Sequence, residues 1–97
     1  AGALRLDLLR FAAQWHGRTL DLTLTEFNLL ESLARRPGIV KSRAQLLRET
    51  YPHDVHVAER TVDTHIKRLR RKLAGAADAP DPIETVHGLG YRFMVKP

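Results

Sequence analysis

The densest chemistry in this sequence lies between Glu59 and Leu73, ERTVDTHIKRLRRKL. Six of the sixteen Lys and Arg residues fall between Arg60 and Lys72, against only Glu59 and Asp63. A helix turning about 100° per residue places Val62, Ile66, Leu69 and Leu73 in one narrow apolar stripe. Arg60, Thr64, Lys67 and Arg71 fall almost directly opposite, with Thr61 and Arg68 beside them. One side can anchor in a core while the other carries cations and short polar groups outward. Such a face fits the major groove of B-form DNA, where Arg reads guanine edges and a Thr methyl meets a thymine methyl. Three other readings stand beside this one. The basic face is merely solvated; it meets an acidic protein surface; or the helix lies on an anionic membrane, which its lack of apolar-face Trp and Phe disfavours.

Little else in the chain has the makings of a reactive site. His53 and His56 flank Asp54 in the loop from Tyr51 to Ala58, and His65 projects from the basic helix, which invites a zinc hypothesis. The loop spacing is irregular and no thiol completes a set, because the chain has no cysteine. No nucleophile–base pair, phosphate loop or paired carboxylates occur, so we expect no enzyme, no cofactor and no metal. The formal net charge is +5 and the sequence pI about 10.2. The clustering of that charge points to a polyanionic partner more strongly than the total does. Without a long apolar run or a signal-peptide pattern, no membrane role and a cytoplasmic location are expected. Ninety-seven residues suit one domain, 1–97, and an opening without Met suggests a piece of a longer protein.

The elements that must position the basic helix can be read around it. Leu4–Leu6 and Leu8–Trp15 read as two strands, and His16-Gly17 as a turn into a third near Thr19–Leu22, giving an amino-terminal sheet over 1–22. Trp15 is expected as core or sheet-edge filler. Thr23 and Glu26 form a capping box ahead of Leu24, Phe27, Leu30 and Leu33 at helical spacing. Arg35 and Arg36 favour the end of that helix, and Pro37-Gly38 stops it. Ser42 and Gln45 repeat the box before a short helix with Leu46 and Leu47 inward. The basic helix completes a three-helix core over 23–73, and the small, proline-bearing run after Leu73 reads as a loop. Ile83–His87 and Tyr91–Val95, split by Gly88-Leu89-Gly90, make a hairpin over 83–96. Glycines at its tip allow positive φ and close backbone approach. A hairpin after a basic helix is a wing, able to lie on phosphates or in the adjacent minor groove.

With those elements in order, the run Arg60-Thr61-Val62-Asp63-Thr64-His65-Ile66, then Arg68-Leu69-Arg70, then Ile83 to Phe93 (IETVHGLGYRF), resembles the OmpR/PhoB-type winged-helix output domain of two-component response regulators. Leu22-Thr23, Glu26-Phe27 and Leu29-Leu30 resemble that family's first helix, and Ser42, Leu46 and Leu47 its second. The resemblance covers nearly the whole chain. It implies an α+β winged helix-turn-helix with a four-stranded amino-terminal sheet, three helices and a carboxy-terminal hairpin. It further implies sequence-specific binding of double-stranded promoter DNA, commonly as head-to-tail pairs on direct repeats, under a phosphorylated receiver domain of the same full-length protein. The isolated fragment is then expected to be monomeric without DNA.

Carried over by position, Arg68 resembles the base-reading arginine, with Asp63 and Thr64 facing the same groove. Arg60, His65, Lys67 and Arg70, with Thr61 and Arg71 beside them, resemble the phosphate-contacting set. Thr85, His87 and Arg92 belong to the wing. Tyr51, His53, Asp54 and His56 correspond to the loop that touches RNA polymerase. Intramolecular roles compete with several of these: Arg70 and Arg71 could pair with Glu31, Glu49 or Glu84, and Asp63 could cap or salt-bridge. Tyr91 and Phe93 are expected in the hairpin core. The chain departs from the family at His87, where the wing commonly has Arg, and no receiver domain lies within these residues.

Overall fold

The computed structural model describes residues 2–51 and 57–95. Its elements run β1 Leu4–Asp7, β2 Ala12–Trp15, β3 Arg18–Leu20, α1 Leu24–Ala34, α2 Arg43–Thr50, α3 Arg60–Ala76, β4 Ile83–Val86 and β5 Gly90–Phe93. Among the described residues the first sheet has three antiparallel strands in the order β1-β2-β3, with Leu4 opposite Trp15 and Ala13 opposite Leu20. The four strands implied by the family resemblance are therefore three here. Residues 8–11, expected within the second strand, form a turn instead. Asp7 Oδ1 accepts from the amides of Leu9 and Arg10, at 3.0 and 3.1 Å, and closes the chain locally before it can extend. His16 and Gly17 both take positive φ, 50° and 78°, the signature of a two-residue hairpin turn whose twist matches its strands.

The capping box at Thr23 forms in both directions, with Glu26 N donating to Thr23 Oγ1 and Thr23 N to Glu26 Oε1. Behind it Phe27, Leu29, Leu30 and Leu33 are buried, while Leu24, placed in the stripe by its spacing, is exposed. The helix ends at Ala34; Arg35 caps it and pairs with Glu31. Ser42 Oγ accepts from Gln45 N and opens α2. Helix α3 buries Val62, Ile66, Leu69 and Leu73 as its stripe predicts. It runs three residues past Leu73, because Ala74 and Ala76 are strong helix formers and one glycine near an end costs only about 1 kcal/mol. These helices close with Trp15, Leu20, Ile83 and Phe93 over one core.

The wing is seated by the connection between α1 and α2. Gly38 N donates to Phe93 O, Lys41 N to Tyr91 O, and Tyr91 N back to Lys41 O. At this seam Gly90 has φ 145°, and a Cβ there would stand 2.0 Å from Lys41 O. Only glycine fits. The same docking carries the Lys41 side chain inside, where it is 3% exposed. Its ammonium donates to Ser32 O at 2.5 Å, Ser32 Oγ at 3.1 Å and Glu49 Oε1 at 2.7 Å, which occupies its three protons. Burial raises the Glu49 carboxyl, but Lys41, Ser32 and Gln45 outweigh it and hold the group down at about 2.

Candidate nucleic-acid interface

Helix α3 has a core stripe, two flanks and an outer face, and each is bonded differently. Arg60, Thr64, Lys67, Arg68 and Arg71 are exposed on the outer face, with Thr61 half-buried beside them. None of its four cations forms an ion pair among the described residues. This is the face the spacing assigned to base edges and phosphates, and the structure leaves it to solvent.

The flank toward the wing holds Asp63 and Arg70, both half-buried. Asp63 Oδ1 accepts from Tyr91 Oη, and Arg43 Nε reaches the same oxygen at 3.0 Å. Arg70 Nη2 donates to Thr85 Oγ1 at 2.7 Å and to Ile83 O at 2.9 Å. Its Nε lies 2.9 Å from Asp81 Oδ2, an ion pair angled away from a hydrogen bond, and its guanidinium stands 5.7 Å from the Tyr91 ring centroid. Arg70 thus takes Asp81, and not Glu31, Glu49 or Glu84, which pair with Arg35, Lys41 and Arg92. Arg71 stays unpaired among the described residues. Asp63 and Arg70, carried over to the DNA-facing set with intramolecular roles open beside it, have partners on α2, the wing and the segment that leads into it.

The opposite flank faces α1 and the end of α2. Lys72 Nζ pairs with the buried Glu26 carboxylate. Burial raises that carboxyl, and the bonds from Lys72 and Thr23 outweigh it, leaving it below its ordinary range. His65 Nε2 is 3.0 Å from Tyr51 Oη, and its Nδ1 is buried without a hydrogen bond. Burial pushes the imidazole below its ordinary pKa, the nearby Arg68 charge adds to that, and Glu26 opposes it. The half-buried imidazole, assigned by position to the phosphate-contacting set, thus has Tyr51 as the partner of its Nε2.

On the wing, His87 is exposed at the tip beside Gly88, which has φ 82°. Thr85 accepts from Arg70, and Arg92 donates to its cross-strand partner Glu84 at 2.7 Å. Tyr91 and Phe93 are core residues, 7% and 0% exposed. A cleft of about 290 Å³ separates α2 from the wing, with Ser42, Arg43 and His87 on its walls. Arg43 was not singled out by the sequence. Its partner stands on another helix, and nothing local to Ser42-Arg43 signals the contact. His53, Asp54 and His56 lie outside the described residues, and Tyr51 lies at their edge. Among the described residues no three His, Cys, Asp or Glu side chains cluster as a metal site, and no helix is long and apolar enough to cross a membrane.

Residues 17–93 match the family model described as transcriptional regulatory protein, C terminal. The chain is 48% identical over 90 residues to the transcriptional regulatory protein BaeR of Escherichia coli O6:H1, covering 93% of this chain and 38% of BaeR. It is 46% identical over 90 residues to the phosphate regulon transcriptional regulatory protein PhoB of Rhizobium meliloti, covering 93% and 39%. The chain therefore spans about two fifths of the length of these curated relatives. Among solved structures, the DNA-binding domain of the response regulator AdeR, in complex with an intercistronic region, superposes with a TM-score of 0.87 at 28% identity, covering 99% and 98% of the two chains. The DNA-binding domain of CpxR from E. coli gives 0.81 at 38%, covering 98% and 93%. On its three helices, hairpin wing and matched sequence, this chain belongs to the family of C-terminal, OmpR/PhoB-type effector domains of transcriptional regulatory proteins.

Proposed function

We propose that this chain binds double-stranded DNA sequence-specifically, as the output domain of a cytoplasmic bacterial response regulator that controls transcription. The observation that carries the reading is the outer face of α3, whose four cations stand exposed and unpaired among the described residues while the flank cations Arg70 and Lys72 are tied down. Arg68 and Thr64 read base edges in the major groove, and Arg60, Lys67 and Arg71 hold phosphates with Thr61 beside them. His87 brings the wing tip to the backbone or minor groove. Asp63, His65 and Arg70 serve the interface by fixing the helix, and Thr85 and Arg92 by fixing the wing. The domain uses no cofactor and catalyses no reaction. In the full-length protein it acts under a receiver domain, pairs head-to-tail on direct repeats, and meets RNA polymerase through the loop that begins at Tyr51. Alone and without DNA it is monomeric.

Selecting bound sequences from a random duplex pool tests this reading, and measuring affinity against salt separates DNA binding from protein contact. Each phosphate neutralised steepens the logarithmic salt dependence by about 0.9. A pool that yields no enriched sequence, with affinity indifferent to salt, would return the basic face to the rival reading of a winged helix used for protein contact.

A further inference from the structure

The wing-side flank of α3 makes a connection that the outer face does not require. One carboxylate oxygen, Asp63 Oδ1, accepts from Tyr91 Oη on β5 and from Arg43 Nε on α2. Three elements meet at that atom, beside the cleft that separates α2 from the wing tip. Tyr91 is itself held in the backbone seam with Lys41, so its hydroxyl is a fixed point of the wing. Asp63 sits in the first turn of α3, one residue before Thr64, so whatever sets its position also sets the entry angle of the recognition helix. A carboxylate repels a phosphate, because like charges repel. Here it has two intramolecular donors already.

We propose that Asp63 is a positioning residue: it ties Tyr91 of the wing and Arg43 of α2 to the first turn of α3, and so sets the angle between recognition helix and wing on which site-specific binding depends. This rests on the reading of α3 as a DNA-recognition helix. The tie shows in the Tyr91 phenol, which burial pushes above its ordinary pKa, with the Asp63 bond and charge adding to the rise and the Arg43 and Arg70 charges opposing it.

The experiment is a double-mutant cycle on affinity for the selected duplex and for a random one, with thermal unfolding followed in parallel. Tyr91→Phe deletes only the hydroxyl, and Asp63→Ala deletes its acceptor. Each weakens the selected duplex by roughly tenfold, the scale of one hydrogen bond to a charged group, and weakens the random duplex much less. The double variant Asp63→Ala/Tyr91→Phe loses little more than Asp63→Ala alone, because both substitutions break one link. Asp63→Asn keeps an oxygen acceptor and recovers part of the loss. Additive losses, or a base preference that relaxes in Asp63→Ala but not in Tyr91→Phe, would overturn the proposal and make Asp63 a base reader. NMR titration of the Tyr91 ring tests the link without DNA: Asp63→Asn lowers its pKa, and an unchanged titration refutes the tie. If the parent binds no duplex at all, the DNA reading fails while this titration still decides the link.

Discussion

Lys41→Met probes the one lysine that is fully buried among the described residues. The substitution keeps roughly the same volume and removes the three donors that reach Ser32 and Glu49. Glu49 is held at about 2, against an ordinary 4.5. At about 1.4 kcal/mol per pKa unit that difference corresponds to roughly 3 kcal/mol of stability. Water reaches a quarter of the Glu49 side chain, and Ser32 and Gln45 supply part of the depression, so about 2 kcal/mol is the share that belongs to Lys41. The sign follows from the lowered folded-state pKa. The contribution is fully present above the unfolded carboxyl's pKa of 4.5 and disappears as pH falls through about 2. Urea unfolding of parent and variant, carried from neutral pH into this acid range, should show a gap of about 2 kcal/mol at neutral pH that narrows with acid. The double variant Lys41→Met/Glu49→Gln should be more stable than Glu49→Gln alone, which strands a buried ammonium. A gap that stays constant from neutral pH to the acid limit would refute the reasoning, since Lys41 would then stabilise by packing and not through Glu49.

Further perturbations have defined outcomes. Gly90→Ala places a Cβ against Lys41 O in a backbone conformation L residues avoid, and thermal unfolding should report a loss of about 2 kcal/mol or more. Leu69→Ala, at a fully buried point of the α3 stripe, should cost roughly 2–5 kcal/mol by the same measurement; unchanged melting would mean the helix faces the other way. Arg68→Ala should lower affinity for the selected duplex by about 1–3 kcal/mol and relax preference at one or two base pairs, whereas Lys67→Ala should weaken all duplexes alike and reduce the salt slope by about one unit. His65 has a lowered folded-state pKa, so it destabilises the fold as pH falls below the unfolded value of 6.5 toward that lower pKa. His65→Gln should remove this component from the stability-versus-pH curve, and a curve unaffected by the substitution would show that the imidazole is not held in its neutral form.

What could be read from the sequence was whatever repeats or caps within a few residues. The α3 stripe, the Thr23–Glu26 box and the glycine-flanked wing tip depend on local spacing, and spacing survives folding. The partners of Asp63 and Arg70 do not. A helical wheel places both side chains between core and solvent, and only the fold decides whether that border meets DNA, Asp81 or Tyr91. Lys41 reads as an ordinary loop lysine until the segment carrying it is laid along β5. The position of His65 on the helix was legible and its burial against Tyr51 was not. The overlong second strand failed for a different reason: the Leu8–Phe11 stretch is apolar enough for a strand, and the Asp7 side chain turns the backbone before pairing begins.

The seam between Gly38–Lys41 and β5 also bears on the order in which this chain acquires its shape. The wing hairpin can close on itself, since its two strands are neighbours in sequence. Its seat is different, because Lys41 and Tyr91 stand half a chain apart in sequence and must be brought together across α2 and α3. Closing that separation costs chain entropy that the hairpin's own turn does not, which places the seat among the long-range contacts that slow the folding of a small domain.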